Sequence, residues 1–216
     1  MMGLLTVLKA KAREMMIPLI YRYPPTGLQP DRLGVYLSEI MARASSKAAV
    51  AEIGCSLGGT TVLAFKALRR SGWKGEYICY DTFGGFVPEQ FDADVKIGSP
   101  RRIGTMFQES SQQLVRKILN YHGCLEVQLV QGDITKVAKA DLRDKYMAVL
   151  LDIDLSEPTY DALKIFWPRM EKGGIILVDD CPADSVWKAR VGYARFCKEM
   201  KLKEVYRSGL GVLVKA

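Results

Sequence analysis

The chain has 216 residues, 49% of them hydrophobic and 25% charged, enough for one sizeable core with a short appendage. Its 31 Lys and Arg against 24 Asp and Glu leave a net charge of +7, but no run of five like charges occurs, so no nucleic-acid partner is expected. A single histidine, His122, excludes a multi-histidine metal site and leaves catalysis to carboxylates.

Residues 1–20 are apolar but interrupted by Lys9, Lys11, Arg13 and Glu14, too soon for a membrane span. They read as an amphipathic helix packed on the domain or on a second copy, so stable membrane insertion is not expected and a homo-oligomer is open. Tyr23-Pro24-Pro25-Thr26-Gly27 makes a stiff break, and residues 31–43 form a helix with Leu33, Tyr36, Leu37 and Ile40 on one face. We therefore divide the chain into a helical N-terminal extension, 1–46, and a main domain, 47–216.

From residue 47 onward, short β-type runs alternate with helical periods, which predicts an α/β fold with helices on both faces of a mostly parallel sheet. The seven expected strands are 49–53, 76–80, 125–130, 147–151, 174–178, 203–206 and 211–214. Helices are expected at 60–70, 102–121, 135–143, 158–170 and 185–200. His122, followed by Gly123, reads as a structural histidine at a helix end. The long irregular stretch 82–100, with Phe83-Gly84-Gly85-Phe86, reads as a lid. Only four residues, 207–210, separate the last two strands, so that pair must be an antiparallel hairpin. Five cysteines, an odd number without a C-x-x-C pair, suit a reduced, cytoplasmic protein.

The turn after the first strand, Gly54-Cys55-Ser56-Leu57-Gly58-Gly59-Thr60, lets a ligand approach the backbone and the helix N-terminus. No Lys follows its glycines, and their spacing is not G-x-G-x-x-G. Asp81 ends the second strand and Asp133 follows the third, where carboxylates can accept ribose hydroxyls and an adenine amine.

A parallel sheet closed by one antiparallel hairpin, with Glu52, the glycine turn, Asp81 and Asp133 at these places, resembles the Rossmann-like class I S-adenosylmethionine methyltransferases. That resemblance implies cofactor contacts from Glu52, Gly54, Cys55, Ser56, Gly58, Thr60, Asp81, Thr82, Phe83, Gly132, Asp133 and Ile134.

Asp152 and Asp154 end the fourth strand, and Asp179 and Asp180 end the fifth. If these strands are neighbours their acids converge, and a hard divalent ion, Mg²⁺ first, relieves the repulsion. The other reading is that one or two of them cap helices, Asp154 above all. The segment Leu151-Asp152-Ile153-Asp154-Leu155, followed by Trp167-Pro168-Arg169 and Val178-Asp179-Asp180, resembles the macrocin O-methyltransferase family, as do Tyr80-Asp81-Thr82-Phe83 and Gly58-Gly59-Thr60. Ile153, Pro158 and Cys181 depart from that family's glycine, serine and tyrosine.

We expect Asp152, Asp179 and Asp180 to hold Mg²⁺, with Asp152 also the general base, and a small-molecule hydroxyl as acceptor. A metal-independent methyltransferase, or a nucleotide-binding module without methyl transfer, are the alternatives.

Overall fold

Every residue of Ala49–Ile53 and of Tyr146–Leu151 is buried, because a parallel strand covered on both faces is shut off from water, and Glu52 is the one charged residue among them. These are β1 and β4, the centre of a seven-stranded sheet in a computed structural model that describes residues 4–216. The other strands are β2 (Tyr77–Asp81), β3 (Gln128–Gln131), β5 (Met170–Val178), β6 (Tyr206–Arg207) and β7 (Leu210–Val214), in the order β3-β2-β1-β4-β5-β7-β6. The first five strands of the chain pair in parallel, and β7 runs antiparallel to both β5 and β6. Order and hairpin are those of the Rossmann-like methyltransferase fold expected.

The helices are α1 (Leu4–Met15), α2 (Ile17–Ile20), α3 (Pro30–Ala42), α4 (Gly59–Arg70), α5 (Pro88–Lys96), α6 (Gln112–Tyr121), α7 (Ser156–Phe166) and α8 (Ala189–Glu199). On one face Tyr36, Ile40, Phe65, Leu68, Val115 and Leu119 from α3, α4 and α6 cover Val50 and Tyr77. On the other, Leu163, Phe166, Tyr193 and Phe196 from α7 and α8 cover Ala51, Val149 and Ile176. Helix α3 thus shares the main core. Within the stretch 1–20, residues 1–3 lie outside those described, and among the described residues no helix is long and apolar enough to cross a membrane.

Several expected elements differ. The helix expected over 102–121 begins only at Gln112, where Ser111 Oγ accepts the Leu114 N–H at 3.1 Å. Upstream, Gly104 lies against Phe91, so close that a Cβ would come within 2.4 Å of the ring, and Phe107 adopts φ +64°. Residues 135–143 form two single 3₁₀ turns rather than a helix, the first started by Asp133, whose carboxylate accepts the Thr135 N–H. Helix α7 ends at Phe166, before a 3₁₀ turn that contains Pro168, and β5 starts early at Met170. Helix α8 starts four residues later than expected, at Ala189. Strand β3 begins only at Gln128, after a turn in which the Val127 N–H reaches the Cys124 carbonyl. In the hairpin, Ser208 and Gly209 have φ +51° and +80°, giving a two-residue turn that shortens β6 to Tyr206–Arg207.

His122 ends α6 as expected, its Nε2 2.9 Å from the Tyr21 carbonyl, and ties that helix to the segment after α2.

Candidate active site

Gly54 leaves β1 at φ +85°, and a Cβ there would lie 1.9 Å from the Asp152 carbonyl oxygen, so only glycine lets the turn cross the end of β4. The turn then passes Ser56 (φ +49°) and Gly58 (φ +77°) into α4. Gly59 in turn abuts the Pro25 backbone, which a Cβ would approach to 2.3 Å, and Thr26 and Thr60 hydroxyls meet at 2.7 Å. The stiff break before α3 therefore roofs the glycine turn.

Asp81 staples two loops: its Oδ2 accepts the Ser56 N–H at 2.9 Å and its Oδ1 the Phe83 N–H at 2.7 Å. Burial still pushes its carboxyl up, against those backbone hydrogen bonds. Asp133 is better satisfied. Although burial opposes it, hydrogen bonds from Thr135 and from Gln90 Nε2 at 2.9 Å hold its carboxyl below the usual range. Glu52 is buried, with Oε2 accepting Thr61 Oγ1 at 2.8 Å and the Tyr77 hydroxyl at 2.6 Å, while Tyr77 meets the Tyr36 hydroxyl at 2.8 Å. Burial raises its pKa to about 7, with those hydrogen bonds opposing. Glu52 is thus a hub of the core as well as a wall of the site.

These groups line one cavity of about 400 Å³, within the range of small-ligand sites. Of the expected cofactor residues, Glu52, Gly54, Cys55, Ser56, Thr60, Asp81, Thr82, Gly132, Asp133 and Ile134 line it. Gly58 and Phe83 do not: Gly58 shapes the start of α4, and the Phe83 ring is buried in the main core, leaving its backbone N–H to hold Asp81.

The other end of the cavity is acidic. Leu151 pairs with Val178 in the β4–β5 ladder, so the next residues of both strands emerge side by side. Asp154 and Asp180 both take left-handed backbone, φ +68° and +55°. One carboxylate oxygen from each of Asp152, Asp154 and Asp180 lies within 4.8 Å of the others. Asp154 makes no side-chain cap on α7. Asp179, expected in this group, instead accepts Arg32 Nη1 at 2.7 Å, and Asp180 accepts the same nitrogen at 3.1 Å.

Burial, then Asp179 and Asp180, push Asp152 well above the carboxylate range; burial, then a hydrogen bond to Asp180, do the same for Asp154. Asp179 is raised to about 6 by burial and then by Asp180, with Arg32 pulling the other way. A compact set of oxygen donors whose charges oppose one another fits a hard divalent ion.

The segment 82–100 does cover the cavity, through Phe86, Val87 and Gln90, but it carries α5 rather than an irregular loop. Its Asp94 is fully buried, and one carboxylate oxygen accepts the Ser156 N–H at 3.0 Å while the other accepts the Ser156 hydroxyl. That carboxylate caps α7. Sequence reasoning missed Arg32, Gln90, Asp94 and Trp187. Arg32 and Asp179 are 147 residues apart, and nothing local marks such a pair.

The sequence matches a family described as a methyltransferase domain over residues 51–181. No curated protein sequence matches it. Among solved structures, the O-methyltransferase NovP is similar at TM-score 0.74 and 16% identity, covering 98% of this chain and 99% of that one. CalS11, a calicheamicin methyltransferase, is similar at TM-score 0.66 and 19% identity, over 97% and 91%. TomG from Streptomyces achromogenes, an O-methyltransferase of tomaymycin synthesis solved with S-adenosylmethionine, follows at 0.55 and 14%, over 96% and 90%. With the matched domain covering more than half of its length, around a glycine turn and Asp81 at the ends of β1 and β2, this chain belongs to the class I S-adenosylmethionine-dependent methyltransferases.

Proposed function

We propose that the protein is an O-methyltransferase that methylates a hydroxyl of a small natural product, with a hard divalent ion, Mg²⁺ first, in the acidic end of the cavity. The observation that carries this reading is the set Asp152, Asp154 and Asp180, with oxygens within 4.8 Å, in the same cavity as the glycine turn. CalS11 is named as a calicheamicin methyltransferase and TomG as an O-methyltransferase of tomaymycin synthesis, and the four ordered motifs that resemble the macrocin O-methyltransferases favour the same kind of acceptor. Residues 1–46 serve as an extension that completes the cavity with Pro25, Gly27, Gln29 and Arg32. Five buried free cysteines suit a reducing, cytoplasmic setting.

When bound, S-adenosylmethionine supplies an electrophilic methyl group and a divalent ion lowers the pKa of a nearby hydroxyl. The chain's own work is positioning and proton transfer. Thr60 and the turn N–H groups receive the amino-acid tail, Asp81 the ribose, and Asp133 with Gln90 the adenine edge. Asp152, Asp154 and Asp180 hold the ion, so Asp154 takes the place expected for Asp179. Asp152, held ionised once the ion is bound, would accept the hydroxyl proton.

Calorimetry with S-adenosylhomocysteine, then methyl transfer to a hydroxyl panel with Mg²⁺ or with a chelator, tests this. Binding of the homocysteine with turnover that collapses on chelation supports it; no cofactor binding sinks it. One observation favours a second reading: Arg32 already brings a cation to Asp179 and Asp180, as a metal-independent methyltransferase would need. Full turnover in chelator selects that reading.

A further inference from the structure

Beside the acidic end, the cavity has a wall of rings. Phe86 stands 5.5 Å from Phe107 and 5.8 Å from Trp187, and Phe107 stands 6.4 Å from Trp187, centroid to centroid. All three line the cavity, and Phe86 stacks at 5.4 Å on the buried Phe91 behind it. These separations suit edge and offset contacts, so the rings brace one another while a ring-sized apolar face stays open to the cavity. Phe107 remains 39% exposed while touching two other rings.

Charge narrows what fits there. The lining holds seven carboxylates and one cation, Arg32, and Arg32 is committed to Asp179 and Asp180. A sulfonium cofactor and a divalent ion are drawn into such a field. A phosphate or carboxylate on the reacting ring finds, among the described residues of the lining, no basic side chain left unpaired and faces the acids.

We propose that the wall of Phe86, Phe107 and Trp187 is the acceptor subsite, and that it takes an uncharged six-membered ring with an apolar face beside its hydroxyl. This rests on the methyl-transfer reading above. A phenol and a deoxysugar share that chemistry, and the subsite rejects analogues with an anion on the ring.

The three tryptophans make the test direct. Trp73 is 1% and Trp167 9% exposed, each in one of the two cores, so a ligand-dependent change in emission reports Trp187. With S-adenosylhomocysteine and Mg²⁺ present, catechol or methyl α-L-rhamnoside should give a saturable change, and whichever binds identifies the acceptor as phenol or deoxysugar. A carboxylated partner, 3,4-dihydroxybenzoate, should bind about tenfold more weakly than catechol. Measured by calorimetry, Trp187→Ala should weaken the ring probe about tenfold and leave S-adenosylhomocysteine affinity unchanged. Phe107→Ala, at a more exposed position, should act in the same direction if Trp187→Ala fails to fold. Equal binding of the carboxylated probe, unchanged ring affinity in Phe107→Ala, or cofactor binding with no response to either ring overturns the subsite. Absence of S-adenosylhomocysteine binding in the unmodified protein would instead overturn the methyl-transfer reading itself.

Discussion

The two ends of the cavity are built on opposite electrostatic plans. At the glycine turn, Asp81 and Asp133 have their carboxylate oxygens engaged by backbone and side-chain donors before any ligand arrives. At the tips of β4 and β5, Asp152 and Asp154 face other carboxylates, and both are held well above the carboxylate range by burial and those neighbours. The first end is preorganised for a ligand that accepts and donates hydrogen bonds. The second sets carboxylates against one another, with Arg32 meeting Asp179 and Asp180.

The sharpest break of that contrast is Asp152→Asn. Turnover should fall by about 10²- to 10⁴-fold, the usual worth of a positioned acid or base. Affinity for S-adenosylhomocysteine, measured by calorimetry, should barely move, because the turn keeps its own partners. A parallel loss of cofactor affinity would show that the two ends are not separable.

Gly54→Ala attacks the other end. Its Cβ has no room against the Asp152 carbonyl and φ is +85°, so a loss of about 3 kcal/mol or more is expected, read by denaturant unfolding. Cofactor affinity should fall with it.

Glu52 sharpens the comparison through pH. Its carboxyl titrates at about 7 in the folded chain, above its ordinary value of 4.5, so the folded state keeps a proton that the unfolded state releases. Stability should therefore decline as pH rises from about 4.5 to about 7 and level off above, by a total on the order of 3 kcal/mol. Glu52→Gln, which can still accept from Thr61 and Tyr77, should make that decline shallower by Glu52's share in thermal melts taken across the range, leaving the share of Asp81, Asp152, Asp154 and Asp179.

The smallest effect is expected at Arg32. Arg32→Gln removes charge-assisted hydrogen bonds worth about 1–3 kcal/mol and should lower the melting temperature in chelator. Mg²⁺ should restore much of the loss, whereas a merely structural arginine would leave a deficit that the ion does not touch.

Strands that sit at the sheet centre were legible because both their faces are buried: residues 147–151 read as one apolar run and fold within one strand. The glycine turn was legible for a different reason, since Gly54 and Gly58 carry positive φ that other residues resist. Within 102–121, Met106 and Phe107 are apolar for the cavity rather than for the core, and the helix forms only from Gln112. The four acids were visible as one converging group, but not which three of them would meet. Which three converge depends on left-handed backbone at Asp154 and Asp180 and on an arginine from a distant helix, and neither has a local mark.

Asp94 has a consequence for traffic through the mouth. Because its carboxylate is sunk beneath α5 and clasps Ser156 at the head of α7, α5 cannot swing outward without abandoning a buried charge and uncapping a helix two residues from Asp154. Cover and acid-bearing loop are therefore mechanically one piece. Pro25, Gly27 and Gln29, which also line the cavity, belong to a separate segment that this clasp does not tie down.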